Sequence, residues 1–392
     1  MFRFKNFFVA IIFSAVCVFN FTAQAAMAAP EILADAAILI EPSTGRVIFE
    51  KNADSFFPPA SMTKMMTCIL GIEYLSPFSE IEVSPEAAAV EYSDLNLQAG
   101  DKISASDLLL GTMLVSDNAG AVVVAQAVGG NISNFVKMMN DKAKEIGCTN
   151  TNFENPNGLP INNHYSTARD MAKIASYCMK NSEFRNYVGT VFANIHVISP
   201  ERTFDALTTN KLLETYEGAT GIKTGYTMSA GGCVAASAKR GEVELIAVVM
   251  HSTNMDTRFD DAAKLLDYGF ENVESIRKIE VGKIKQVVFV RGGKSGTVHV
   301  ETTEDLNFPL LKDESENLLT VTYDLPKFID AEIERGKIIG SAILNYDGKP
   351  VATVPLAAIE NVAKGFSFSS WLVELSESFR PAAQDFLLKF VA

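Results

Sequence analysis

The sequence predicts an α+β domain built on an antiparallel sheet, followed by a small all-β domain. Within residues 30–272, segments of strand composition stand at both ends of a long helical middle, which favours one antiparallel sheet with the helices grouped together. From about residue 273, short β-type runs separated by turn residues replace the helical pattern. The chain has 392 residues, of which 48% are hydrophobic and 21% charged, enough to bury a sizeable core.

Residues 1–29 have the composition of a secretory signal peptide. Arg3 and Lys5 form a positive start, the apolar stretch 7–21 follows, and small residues around Ala25 and Ala28 offer cleavage sites. The apolar stretch is short for a membrane span. We therefore expect cleavage and export, with an uncleaved anchor as the alternative.

Composition and charge disfavour several classes of protein. A net charge of −13 is unsuited to nucleic-acid binding, which needs a basic surface. The four histidines are scattered without a zinc-binding spacing, and no C-x-x-C motif occurs, so we expect no metal or cofactor. Four cysteines lie outside the signal peptide: Cys68, Cys148, Cys178 and Cys233. The sequence is compatible with buried free thiols and with disulfides at these positions.

The first elements are a hairpin over residues 36–50 and a helix that begins after two prolines. Ser61 should lie at or near the N-terminus of this helix, and Lys64 one turn later on the same face, where the hydroxyl and the amine can share a hydrogen bond. A neighbouring base makes a serine nucleophilic, and a buried lysine can be that base. Taken alone, the S-x-x-K spacing occurs often by chance, and the pair fits a helix-capping serine and a solvated lysine better than a catalytic pair.

Two apolar helical runs meet at the polar triplet Ser116-Asp117-Asn118, and the first run follows a capping-box pattern at residues 104–107. Such a triplet either caps helix ends or lines a cleft. The other elements predicted in this domain are a helix ending at Gly147, an Asn- and Pro-rich loop over 149–166, a helix over 167–179, strands over 221–227, 233–238 and 243–250, and a helix from Arg258 to about Gly269.

The second domain is predicted over residues 273–360, as a small sandwich with strands at 287–290, 297–300, 318–323, 338–344 and 351–354. The tail, 361–392, carries an apolar face over two helical pieces joined at Pro381. Its members are Trp371, Leu372, Leu375, Phe379, Ala382, Ala383, Phe386, Leu387 and Phe390. We expect this amphipathic tail to associate with a membrane surface, and packing against the β domain is the alternative.

Three motifs occur in a fixed order: Ser61-x-x-Lys64, Ser116-Asp117-Asn118 and Lys223-Thr224-Gly225. They match the S-x-x-K, S-x-N and K-T-G set of penicillin-interacting serine enzymes. Longer segments at 58–67, 155–159, 166–170 and 221–227 resemble the low-molecular-mass penicillin-binding proteins, the serine-type D-alanyl-D-alanine carboxypeptidases of peptidase family S11. The resemblance covers residues 35–270 in detail. It implies a penicillin-binding-protein-like catalytic domain followed by the β domain and the tail.

The resemblance also implies catalytic roles. Ser61 would attack the peptide carbonyl before the terminal D-alanine and form an acyl-enzyme, with Lys64 as the base. Ser116 would pass a proton to the leaving amine, and Asn118 would orient Lys64. Lys223 would help to bind the terminal carboxylate, and its charge would help to keep Lys64 neutral, because like charges disfavour double protonation.

The substrate-binding residues implied by the resemblance are Thr224, Gly225, Tyr226 and Arg258. Thr224 and Arg258 would meet the carboxylate, and the backbone N–H groups of Ser61 and Tyr226 would form the oxyanion hole. Asn157 and Tyr226 stand where some family members carry histidine, which leaves the rate of penicillin deacylation open.

The implied function is removal of D-alanine from peptidoglycan stem peptides outside the cytoplasmic membrane, with β-lactam antibiotics as acylating inhibitors. A β-lactamase is one alternative, although the sequence lacks the glutamate of an E-x-x-L-N segment. A non-catalytic wall-binding protein is another, and the intact motifs argue against it. Endopeptidase action on peptidoglycan cross-links at the same site stays open.

Overall fold

The computed structural model describes residues 29–376 and the tail positions 384, 388, 389 and 391. The predicted signal peptide up to residue 28 lies outside the described residues. So do six members of the predicted apolar tail face: Phe379, Ala382, Ala383, Phe386, Leu387 and Phe390.

A five-stranded antiparallel sheet forms the centre of the first domain, in the order β2-β1-β9-β8-β7. Its strands are β1 Ala36–Glu41, β2 Arg46–Lys51, β7 Ala219–Thr227, β8 Gly231–Arg240 and β9 Val243–Ser252. Successive side chains of β1 enter different cores: Ala36, Ile38 and Ile40 join the larger one, whereas Ala37 and Leu39 join the smaller one. The sheet is therefore covered on both faces, which explains why its central strands are apolar throughout.

Helices cover both faces of this sheet. The larger core packs against a helical cluster, and the smaller core packs against α9. The helices before residue 273 are α1 Lys64–Tyr74, α2 Pro85–Ala88, α3 Ala105–Leu114, α4 Asn118–Gly129, α5 Ile132–Ile146, α6 Ala168–Met179, α7 Ser182–Gly189, α8 Leu212–Thr215 and α9 Thr257–Asn272. A four-stranded sheet flanks the cluster, formed by β3 Glu80–Glu82, β4 Lys102–Ser104, β5 Phe192–Ser199 and β6 Arg202–Leu207.

The helix ends that were predicted from capping residues are present in the structure. Ser104 caps α3 by accepting a hydrogen bond from the Asp107 N–H at 3.1 Å, and Gly147 ends α5 in the left-handed conformation with φ +88°. The polar triplet lies at the junction between α3 and α4, as expected. Asp117 caps α4 there, and Ser116 adopts φ +65°, which is uncommon for a residue other than glycine.

The second domain is a two-sheet β structure, as predicted. Its strands are β10 Val273–Ile279, β11 Lys285–Arg291, β12 Thr297–Thr302, β13 Leu306–Leu311, β14 Leu319–Asp324, β15 Phe328–Asp330, β16 Ile338–Tyr346 and β17 Lys349–Ala358. The pair β10–β13 packs with the six-stranded sheet β14-β16-β17-β12-β11-β15 over one core. Strands β10, β13 and β15 were not predicted from the sequence, because charged residues interrupt β10, Pro309 lies inside β13 and β15 has three residues.

Helix α10, Phe368–Ser376, packs beside β11. None of the helices in the described part of the chain is by itself long and apolar enough to cross a membrane, and one sharply bent pair, α4 with α5, meets that criterion jointly by length and composition. All four described cysteines are buried free thiols, which decides between the two possibilities left open by the sequence.

Candidate active site

Ser61 and Lys64 lie where the chain enters helix α1. Ser61 belongs to a 3₁₀ turn, Ala60–Thr63, and α1 continues directly from it at Lys64. The Lys64 side chain is fully buried, and its Nζ lies 2.9 Å from Ser61 Oγ. The hydrogen bond expected from the i, i+3 spacing is therefore present.

Two further groups fix the Lys64 amine. Nζ donates to Asn118 Oδ1 at 2.7 Å and to the Asn157 carbonyl oxygen at 2.8 Å. The Asn118 amide nitrogen donates to the carbonyl oxygens of Glu91 and Tyr92, both at 3.0 Å, so its oxygen must face the lysine. Asn118 therefore orients Lys64 in this structure.

Burial lowers the pKa of Lys64 to about 7, and the nearby Asp117 carboxylate opposes that shift. The expectation that a second lysine keeps Lys64 neutral needs correction, because desolvation is the cause here. The effect of like charge is found on Lys223 instead, whose pKa is lowered first by burial, then by Lys64 and then by Arg258.

Strand β7 carries the K-T-G motif past the serine. A Cβ atom on Gly225 would lie 3.0 Å from the Ser61 nitrogen and 3.1 Å from the Pro59 carbonyl oxygen, closer than most Cβ contacts. Glycine therefore lets this strand run close to the turn that holds Ser61. Lys223 is buried and donates from Nζ to the Thr224 carbonyl oxygen at 3.0 Å.

Arg258, in the first turn of α9, holds β7 as well as facing the cavity. Its Nη1 donates to the Gly225 carbonyl oxygen at 2.6 Å and, more weakly, to that of Cys233 at 3.5 Å. Thr224 Oγ1 lies 2.6 Å from Thr209 Oγ1. These contacts fix the part of β7 that lies nearest to Ser61.

A cavity of about 840 Å³ opens over these residues. Seven of the nine predicted site residues line it: Ser61, Ser116, Asn118, Thr224, Gly225, Tyr226 and Arg258. Lys64 and Lys223 are buried beside it, each within 1% of full burial. The structure thus brings together residues from four separate parts of the chain around one opening.

Comparison with known proteins supports a family assignment. The family model of peptidase S11, described as D-alanyl-D-alanine carboxypeptidase, matches residues 23–254. The chain belongs to the S11 family. A second model, described as the C-terminal domain of penicillin-binding protein 5, matches residues 271–364.

Individual S11 relatives match over most of their length. The D-alanyl-D-alanine carboxypeptidase DacF of Bacillus subtilis is 34% identical over 84% of this chain and 86% of its own. DacC of Escherichia coli is 30% identical over 89% of both. Among solved structures, penicillin-binding protein 5 of Haemophilus influenzae superposes with a TM-score of 0.70 at 28% identity, over 86% of this chain and 100% of its own.

Residues 154–158 belong to the Asn- and Pro-rich loop that the sequence predicts over 149–166. In this S11 chain it packs along one face of the turn and helix that carry the serine and the lysine. Asn157 contributes its backbone carbonyl, a group that every residue has, so residue type gave no signal. Gly158 adopts φ +85°, and a Cβ atom there would lie 1.9 Å from the Ala60 carbonyl oxygen, so both the backbone conformation and the close approach require glycine.

Most of the outer wall of the cavity was not predicted from the sequence. Its further members are mainly apolar or exposed side chains that precede α3, lie between the end of β6 and α8, follow β7 or precede α9: Tyr92, Asp94, Leu207, Thr208, Thr209, Lys211, Glu214, Met228 and Met255. These positions belong to none of the three motifs, and exposure is a property of the folded chain, so no residue pattern in the sequence marked them.

Proposed function

We propose that this protein is a serine-type D-alanyl-D-alanine carboxypeptidase that removes the terminal D-alanine from peptidoglycan stem peptides. The observation that carries the proposal is the hydrogen bonding of Lys64. A neutral amine has two N–H donors and one lone pair. Asn118 Oδ1 and the Asn157 carbonyl oxygen can only accept, so they take both donors. The lone pair then faces Ser61 Oγ at 2.9 Å.

The acylation step follows from this arrangement. As Ser61 Oγ bonds to the carbonyl carbon before the terminal D-alanine, its proton passes to Lys64 Nζ. The pKa near 7 allows a substantial fraction of Lys64 to be neutral at physiological pH. Negative charge develops on the carbonyl oxygen, and the backbone N–H groups of Ser61 and Tyr226 stabilise it. The close approach of β7 at Gly225 supports this pairing of donors.

Departure of D-alanine breaks the peptide C–N bond and needs a proton on the leaving nitrogen. Ser116 lines the cavity beside Asn118 and supplies it, drawing on the proton that Lys64 accepted. Water then attacks the acyl-enzyme, Lys64 again takes a proton, and the Ser61 hydroxyl is restored. Penicillins acylate Ser61 by the same first step.

Recognition of the terminal carboxylate is assigned to Lys223, Thr224 and Arg258. Burial and the neighbouring cations Lys64 and Arg258 lower the pKa of Lys223, and the group that its Nζ contacts, the Thr224 carbonyl oxygen, carries no charge to offset them. A bound carboxylate supplies the missing negative charge and raises that pKa. Binding of substrate and protonation of Lys223 are therefore coupled.

The test is to incubate the mature protein with a pentapeptide ending in D-Ala-D-Ala and to measure free D-alanine. We expect release by the native chain, and no release and no covalent penicillin labelling with Ser61→Ala. The matched control is Ser182→Ala, an exposed serine on α7 that should leave both activities intact. Covalent labelling of the Ser61→Ala protein would overturn the assignment of the nucleophile.

The same experiment separates the alternatives. Rapid turnover of penicillin without D-alanine release would indicate a β-lactamase. Cleavage of a cross-linked peptide dimer in preference to the pentapeptide would indicate an endopeptidase. A folded protein that neither releases D-alanine nor reacts with penicillin would indicate a non-catalytic wall-binding role.

We also propose that the protein is exported and lies at the outer face of the cytoplasmic membrane, held there through its tail. Helix α10 buries Ser370, Val373 and Ser376 and leaves Phe368 and Trp371 67% and 42% exposed. Exposed aromatics opposite a docked small-residue face suit insertion into a lipid surface. Trp371→Ser should lower binding to phospholipid vesicles several-fold. Phe78→Ser, which changes an exposed aromatic elsewhere, is the control.

We infer a division into a signal peptide at 1–29, a catalytic domain at 30–272, a β-sandwich domain at 273–360 and the tail at 361–392. The passage from α9 to β10 between Asn272 and Val273 supports the central boundary. Limited proteolysis of the mature protein tests it. Stable fragments that end well inside either domain would contradict it.

A further inference from the structure

His164 is an ionisable residue held almost completely inside the first domain, 5% exposed. Its Nε2 lies 2.8 Å from Thr63 Oγ1, and its Nδ1 accepts a hydrogen bond from the Glu154 N–H at 3.1 Å. Because Nδ1 accepts, it carries no proton, and the proton of the neutral ring must lie on Nε2. The ring therefore donates to Thr63, two residues from Ser61 and one from Lys64.

We propose that His164 is a positioning residue for the Lys64 base. Its neutral imidazole ties the loop that carries the Asn157 carbonyl to the turn that carries Ser61. The proposal rests on the proposed function, because it assigns His164 an effect on the acylation step.

The contacts between the loop and the helix follow one helical face. Thr67 Oγ1 donates to the Pro156 carbonyl oxygen at 2.6 Å, and Lys64 Nζ donates to that of Asn157 at 2.8 Å. Thr63 lies one turn before Thr67 and meets His164. Positions 63, 64 and 67 share one side of a helix, so the contacts Thr63–His164, Lys64–Asn157 and Thr67–Pro156 form one row between the helix and the loop.

Within this row of contacts, His164 connects the two ends of the loop with the helix. Through Glu154 it holds the start of the segment 154–158, and through Thr63 it holds the helix. The Phe153 ring packs against the imidazole edge at 5.7 Å between ring centres, which fixes the ring plane. If His164 is removed, the segment loses an anchor on the helix three residues before Asn157.

Loss of that anchor affects the base in two ways. The Asn157 carbonyl no longer holds one N–H of the amine, so the lone pair is free to turn away from Ser61. Water also gains access to Lys64, whose low pKa depends on burial. The other charged groups that act on Lys64 and its neighbour, Asp117 and Lys223, stay in place.

The imidazole is suited to this task because it stays neutral. Burial lowers the pKa of His164 to about 4, so the ring keeps one donor and one acceptor throughout the range in which Lys64 titrates. A glutamine at this position retains a donor that can reach Thr63 and is the conservative replacement. A leucine keeps much of the volume and retains neither contact.

The experiment measures the acylation rate constant with labelled penicillin as a function of pH, together with D-alanine release and the Tm, for the full mature chain. With His164→Leu, we expect the rate constant at pH 7 to fall at least roughly tenfold, with little change in ligand affinity before acylation. The midpoint of the rise in rate with pH should move up by about one unit. With His164→Gln, the fall in the rate constant and the shift of the midpoint should both be smaller than with His164→Leu.

Thr63→Val breaks the same hydrogen bond from the other side at nearly constant volume and serves where His164→Leu folds poorly. The double variant should be little worse than either single variant if both act through one contact. His196→Leu, at an exposed histidine on β5, is the control.

The outcomes separate this inference from the proposed function. An inactive native chain would overturn the proposed function itself. An active native chain whose His164→Leu and Thr63→Val variants keep the native rate constant and pH midpoint, with only the Tm lowered, would overturn the inference alone and leave His164 a structural residue.

Discussion

The Asn157 carbonyl oxygen accepts a hydrogen bond from Lys64 Nζ at 2.8 Å, across 93 positions of sequence. A backbone oxygen cannot be deprotonated and cannot donate, so it fixes the direction of one N–H whichever charge state Lys64 has. Asn118 Oδ1 does the same for a second N–H. Together the two oxygens hold a flexible side chain so that the remaining position on its nitrogen faces Ser61, as the proposed base requires.

The first prediction concerns pH. Lys64 acts as a base only when it is deprotonated, so acylation should rise with pH to a plateau, with a midpoint near the pKa of about 7. The Asp117 carboxylate stabilises the ammonium and therefore raises that pKa. Asp117→Asn should lower the midpoint by about half a unit or more. The measurement is the acylation rate constant from pH 5 to 9.

Asp117 also accepts hydrogen bonds from the N–H groups of Gly120 at 2.6 Å and Leu95 at 2.8 Å, so some loss of Tm accompanies the change. Asp141→Asn, on the exposed face of α5, is the control for charge alone. A midpoint that rises in Asp117→Asn contradicts the electrostatic assignment.

A second prediction separates the charge of Lys64 from its basicity. Lys64→Arg keeps a cation, but a guanidinium does not lose its proton at working pH. Acylation should therefore fall by about 10³-fold or more. Lys64→Met gives the same test without the larger head group, and Lys137→Arg on α5 is the matched control. Acylation by Lys64→Arg within tenfold of native would exclude Lys64 as the base.

The parts of the site that are formed by side chains could be predicted from the sequence, whereas the parts that are formed by backbone groups could not. Ser61 and Lys64 are three positions apart on a helix, so their contact follows from helix geometry. Asn118 and the K-T-G strand carry side chains typical of the family, and the resemblance located them. The Asn157 and Gly225 carbonyls carry no residue signature, so only the folded chain could reveal that Lys64 and Arg258 bind them.

The same distinction applies to the fold. Continuous apolar runs predicted β8 and β9, because these strands are covered on both faces. Strands β10 and β13 have mixed composition and, among the described residues, form a two-stranded sheet with each other, so the existence of each depends on a partner that is distant in sequence.

A third prediction uses two glycines that share a left-handed backbone. Gly158→Ala should be strongly destabilising, and the acylation rate should fall in the protein that still folds, because the new methyl group meets the Ala60 carbonyl next to Ser61. Gly130→Ala has φ +72° and open space around it, so it should cost only the backbone strain, about 1 kcal/mol. Equal losses of Tm in the two variants would show that the loop can move away from the turn.

The last prediction concerns the contact between the two domains. Arg46, at the start of β2, lies over the rings of Phe308 and Tyr346 at 5.1 and 5.9 Å and pairs with Glu314. Its guanidinium is thus held by the second domain although its backbone belongs to the first. Arg46→Ala should reduce the free energy with which the two domains stabilise each other by about 1–2 kcal/mol, because a cation–π contact and a partly buried ion pair are lost together.

Calorimetry measures that effect as a lowered Tm or as two separated unfolding transitions. The acylation rate constant should stay native, since Arg46 lies outside the cavity around Ser61. Arg335→Ala, at an exposed arginine of the second domain, should change neither quantity. If Arg46→Ala lowers the acylation rate while the Tm stays native, the two domains communicate through this contact and Arg46 does more than join them.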